Sequence, residues 1–111
     1  LVDSYLVMGD RYINQTELDL LVGSLIKIAP TAITGEEIDP MTMEVYEIEK
    51  MTSEDYIYRV FGSTLKEHVS SLPYLVKVHK TSHSDCYGIL DLGSGKVAIP
   101  YKGVLLFLKK Q

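Results

Sequence analysis

The sequence predicts an α+β fold: a two-layer sandwich in which two helices pack on a mainly antiparallel sheet with a C-terminal β-meander. Three observations lead there. Apolar side chains recur at helical spacing over residues 16–29 and again over residues 53–72. Four short runs rich in Val, Ile, Leu and Tyr then follow within residues 74–109, with turn residues between them. Each helix has one apolar stripe to bury, and a sheet face is the available partner.

The elements follow in order. Residues 5–8 and 11–14 flank Gly9-Asp10, and Gly at the first central position suits a type II′ turn, so this stretch predicts a β-hairpin. Residues 16–29 predict a helix. Leu18, Leu21, Val22, Leu25, Ile26, Ile28 and Ala29 collect on one half of the wheel, with Leu20 alone misplaced. Thr16 is the expected cap, Glu17 and Asp19 complement the dipole, and Pro30 ends the helix. Gly23 is expected to mark close packing. A strand over residues 25–28 is the competing reading.

Residues 30–42, with Pro30, Gly35 and Pro40, read as a loop, and residues 43–50 as an exposed strand without a helical face. Ser53 or Thr52 can cap the second helix, where Glu54 and Asp55 supply first-turn acids. Ile57, Tyr58, Val60, Phe61, Leu65, Val69 and Leu72 share its apolar face. Gly62 kinks or interrupts it, and Pro73 closes it. The meander strands are expected at residues 74–80, 86–91, 96–99 and 104–109. The nearly continuous apolar run Leu105-Leu106-Phe107-Leu108 suits a central strand. Leu21, Leu25, Phe61, Leu65, Leu106 and Leu108 are the expected core.

A chain of 111 residues matches one ordinary domain and can build a core without staples. Its 46% hydrophobic and 23% charged residues are those of a globular protein rather than a disordered one. Residues 1–111 are therefore read as a single domain, and a first residue of Leu1 is read as a sign of trimming or of a cut from a longer chain. The single cysteine, Cys86, rules out an internal disulfide and points toward a cytoplasmic or nuclear setting. No apolar run approaches the roughly 18 residues of a membrane span, and no signal segment is visible. The net charge of −4 hides a division. Residues 1–55 carry twelve acids and three bases, residues 56–111 three acids and eight bases. Two halves that fold against each other would partly neutralise; exposed halves would offer an acidic and a basic face.

Few motifs carry chemistry. His79, His83 and Cys86 fall near one expected hairpin tip with Asp85, and zinc favours His and Cys ligands. No paired-cysteine or standard histidine spacing accompanies them, so ordinary turn chemistry is the better reading and no metal or cofactor is expected. The same residues, with His68, define an alternative: a small hydrolase or transferase with a Cys86 thiol activated by an imidazole. Gly93-Ser94-Gly95-Lys96 resembles a phosphate loop only in part: Leu90 stands where a Gly is required and Val97 follows the Lys, so a hairpin turn is expected. The carboxylates of residues 36–55 have no enclosing cleft that would separate their pKa values, and they read as a solvated face. Asn14-Gln15-Thr16 matches the glycosylation acceptor by chance.

The reading that remains is a non-catalytic protein–protein interaction or self-assembly module, a structural or regulatory subunit, whose partner is a protein or a second copy of itself. No catalytic residue is assigned. The eight tyrosines matter here, because Tyr joins an apolar ring to a polar tip. Tyr56, Tyr58, Tyr74 and Tyr101, near element ends, are the expected contact residues. A further alternative is a lysine-rich face, from Lys77, Lys80, Lys96, Lys102, Lys109 and Lys110 with Arg59 and Lys66, that binds nucleic acid or an anionic surface. The acidic overall balance and only two Arg argue against nucleic acid.

Overall fold

The fold was read from a computed structural model that describes residues 1–7, 13–62, 72–82 and 88–110. In chain order its elements are β1 (Val2–Val7), α1 (Gln15–Leu21), β2 (Ile26–Ala29), β3 (Ala32–Gly35), β4 (Met41–Thr42), β5 (Val45–Thr52), α2 (Ser53–Phe61), β6 (Leu75–Thr81), β7 (Gly88–Gly93), β8 (Lys96–Tyr101) and β9 (Val104–Lys109). The α+β class, the two helices and the C-terminal meander stand as the sequence predicts.

The meander forms because its turns are chemically determined. Gly93 pairs with Lys96 across Ser94-Gly95, and Tyr101 with Val104 across Lys102-Gly103. Both central residues of each loop have positive φ: 55° and 75° in the first, 47° and 82° in the second. That is what a type I′ hairpin demands, and Gly at the second position supplies it without steric cost. β5 joins β6 and β1 joins β9, completing a six-stranded antiparallel sheet in the order β1-β9-β8-β7-β6-β5. Both outer strands are irregular: the register slips between Val2 and Ser4 in β1, and between Val45 and Glu47 in β5. Such bulges twist an edge away from chance pairing.

Alternation along the strands divides the core. On one face Ile89, Ile99, Tyr101, Val104, Leu106 and Leu108 pack with Leu18 and Leu21 of α1, with Ile33 and Met41 of a small sheet ordered β2-β3-β4, and with Met43 just beyond it. On the other face Val76, Val78, Leu90, Ala98 and Leu105 pack with Tyr56 and Ile57 of α2. The two helices therefore take opposite faces. Leu21, Leu106 and Leu108 are buried as expected. Phe61 is partly buried, and Leu65 lies outside the described residues.

Several expectations need correction. Residues 16–29 are not one helix: α1 stops at Leu21 and β2 follows. Gly23 N–H donates to Val2 O at 2.8 Å, Val2 N–H donates to Ser24 O at 2.9 Å, and Ser24 Oγ donates to Leu21 O at 2.7 Å. The segment after α1 is thus pinned beside β1, with Gly23 at φ +89°. An added Cβ there would meet nothing within 4 Å, so backbone conformation, and not close packing, requires the glycine. Leu25 consequently lies outside the core, 48% exposed. The cap is Asn14, whose Oδ1 accepts the Glu17 N–H at 2.8 Å, and not Thr16. Residues 30–42 hold β3 and β4 rather than a loop alone.

The expected N-terminal hairpin does not form as read. β1 pairs with β9, Ile13 and Asn14 are not in a strand, and residues 8–12 are outside the described range. α2 begins at a Thr52 cap and ends at Gly62 in the left-handed conformation; its expected continuation over residues 63–71 also lies outside the described residues.

Candidate functional site

The small sheet and α1 cover only part of their face of the large sheet. Where β2 parts from the large sheet, a groove of about 630 Å³ opens between them. Leu25, Ile26, Ile28, Ala29 and Pro30 form one wall; Val45, His79, Ile89, Val97 and Leu108 form the opposite side. Leu25, Ile28 and Val45 remain partly exposed, so the groove is an open trough and not a sealed cavity.

Strand register extends this surface. Ile48 lies opposite His79, and Lys50 opposite Lys77. Alternation therefore places Ile48, Lys50, Leu75, Lys77 and His79 on the groove side of β5 and β6. Ile48 is 53% exposed and Leu75 60% exposed. Ile48 adjoins groove-lining His79, whereas the Lys50–Lys77 pair separates Leu75 from it; exposed apolar area rimmed by charge is characteristic of interaction sites.

The other side of the same two strands is electrostatically different. Lys80 Nζ lies 3.4 Å from Glu47 and also pairs closely with Glu49, which is 3.8 Å from Arg59 on α2. The hydrogen bond from Lys80, with both cations nearby, holds the Glu49 carboxyl below its ordinary value. At the far end of the sheet, Lys102 donates to Glu17 at 3.2 Å and sits 5.5 Å from the centre of the Tyr101 ring. Its ammonium is held above its usual value, first by the hydrogen bond to Glu17 and then by Tyr101.

The expected contact tyrosines separate into two kinds. Tyr56 is fully buried, with its hydroxyl 3.5 Å from Gly88 O, and Tyr101 is buried with its hydroxyl 3.4 Å from Asp39 N. Neither presents a surface to a partner. Tyr58 and Tyr74 are exposed, Tyr74 by 77%, and neither lines the groove.

Of the alternative catalytic set, His79 lines the groove, whereas His83, Cys86 and His68 lie outside the described residues. Among the described residues no three His, Cys, Asp or Glu side chains gather as a metal site. Gly93-Ser94-Gly95-Lys96 is a hairpin turn. The basic residues do not form one face: Lys80, Arg59 and Lys102 are in ion pairs. Lys77 projects to the groove side, and Lys96 and Lys109, opposite each other near their strand ends, border the groove with Lys110.

The groove is what residue-by-residue reading of the sequence misses. Its signal is present: a β-branched run, Ile26 and Ile28, follows Gly23, and a strand read as exposed carries Val45, Tyr46 and Ile48. No protein-family model, curated protein or solved structure matches this chain. Among the described residues no helix is long and apolar enough to cross a membrane.

Proposed function

We propose that this chain is a non-catalytic interaction module that binds another polypeptide through the groove between its two sheets. The observation that carries the proposal is the half-exposed apolar lining of the groove, with Leu25 and Ile28 on one wall and Val45 on the large sheet. Small-ligand sites generally enclose most of their ligand. A trough with half-exposed walls suits a chain laid along it instead. The partition of the basic residues, with three of them spent in ion pairs, favours a protein ligand over nucleic acid.

Selection from a displayed library of random peptides tests the reading. Enriched peptides are expected to share an apolar spacing and to lose binding when Ile28 and Val45 are both replaced by Asp. Enrichment indifferent to that double substitution, or no enriched family, contradicts it. Sedimentation over a concentration series asks whether the bound polypeptide is a second copy. Self-association lost in the same variant would identify the copy as the occupant; a monomer at every concentration assigns the groove to a different protein.

A further inference from the structure

The groove's charged border has the opposite sign to the molecule. The chain carries −4, yet the charged residues lining the groove are Lys96, Lys109 and Lys110 against Asp91 alone. The adjoining sheet face adds Lys50 and Lys77, placed directly opposite each other in the β5–β6 ladder. Like charges in that position destabilise a sheet. Asp91 is next in the same row, opposite Lys77 and one strand removed from Lys50, so one carboxylate serves a row with two ammonium groups. One of its oxygens already accepts the Gly93 N–H at 2.9 Å. Neither Lys50 nor Lys77 forms an ion pair among the described residues.

The wall formed by β2 has a second property. Among the described residues β2 is the outer strand of its sheet and is paired with β3 alone. A strand paired on one side keeps a row of N–H and C=O groups for another chain, and strand addition is a common mode of peptide recognition.

We propose that the groove takes up an extended segment of a partner protein in which apolar residues alternate with Asp or Glu, added as a further strand along β2, with its carboxylates meeting the lysines of the rim. The proposal rests on the groove being a polypeptide-binding surface. Apolar side chains of the segment fill the space between Ile28 and Val45. Its acids relieve the Lys50–Lys77 repulsion, so charge sets which partner binds and how fast.

Fluorescence anisotropy with three labelled synthetic peptides tests this. All three share one alternating apolar frame, and their polar positions are all Glu, all Ser or all Lys. The Glu peptide is expected to bind at least about tenfold more tightly than the Ser peptide, a difference of about 1.4 kcal/mol, with the Lys peptide weakest. Added salt should narrow the gap, because screening sets in near 10 Å at about 0.1 M. In the Lys50→Glu/Lys77→Glu variant the preference for the Glu peptide should be lost. Should that variant fail to fold by circular dichroism, Lys50→Gln/Lys77→Gln should reduce the preference instead. Hydrogen exchange should show new protection in Ile26–Ala29 on binding. Charge-blind affinities, or protection confined to other elements, overturn the inference. Library peptides that bind without an acidic bias overturn this inference alone; no peptide binding of any kind overturns the groove reading beneath it.

Discussion

Leu25 and Leu106 are the same side chain in opposite situations. Leu106 is fully buried between β8 and β1, paired with Ile99 and Tyr5, whereas Leu25 stands 48% exposed at the groove wall. Truncation of Leu106 to Ala should remove buried contacts and leave a cavity, at a cost of about 2–5 kcal/mol. Leu25→Ala should cost about 0.5 kcal/mol or less, as surface substitutions do, while weakening whatever binds the groove. Denaturant titration of both variants checks the pair; equal losses would show that the groove wall is core. Glu49 gives a second residue-level expectation. Its folded pKa lies below the ordinary 4.5, chiefly because Lys80 donates to it. A depressed carboxyl contributes stability above the unfolded pKa and loses it as pH falls through the folded value. The denaturant midpoint should therefore fall below pH 4.5 more steeply in the native protein than in Glu49→Gln. Identical acid limbs for the two proteins would remove Glu49 from the acid response.

At the scale of elements, the region around Gly23 decides whether residues 16–29 become one helix or a helix and a strand. The apolar pattern alone fits both, because residues 25, 26, 28 and 29 satisfy a helical stripe and also a half-exposed strand. The long-range hydrogen bonds that Gly23 donates to Val2 and Ser24 accepts from it break the tie, and no local reading can see them. Gly23→Ala should cost about 1 kcal/mol through left-handed strain alone, since no atom crowds the added Cβ. A chemical denaturation midpoint unchanged by this substitution would contradict the backbone argument. The meander, by contrast, was legible almost strand by strand, because Ser94-Gly95 and Lys102-Gly103 encode their turns locally. β3 and β4 were hidden for the converse reason: they are four and two residues long, too short to show a period, and Pro30, Gly35 and Pro40 punctuate them. Of the candidate contact residues, Tyr56 and Tyr101 proved to be core, because position near an element end does not say which face a ring takes. The groove depends on where one sheet parts from another, which no single element records.

For the whole molecule, the division of charge acquires a structural meaning. Glu17 pairs with Lys102, Glu47 with Lys80, and Glu49 with both Lys80 and Arg59. Each pair joins an acid of the first half to a base of the second, so part of the asymmetry is neutralised within the chain. A radius of gyration of 12.9 Å, close to the about 13 Å expected of a folded domain of this length, agrees with halves packed together. These pairs leave Lys50, Lys77, Lys96, Lys109 and Lys110 outside the ion pairs of the described residues, bordering or adjoining the apolar trough between the sheets. On the proposal above, another polypeptide lies in this trough. Amide chemical-shift mapping during titration with a library-selected peptide tests it most directly. The largest shifts are expected in residues 25–30, 45–50, 75–79 and 89–91. Shifts concentrated instead around the exposed Tyr58 of α2 and Tyr74, on a surface apart from the groove, would contradict it.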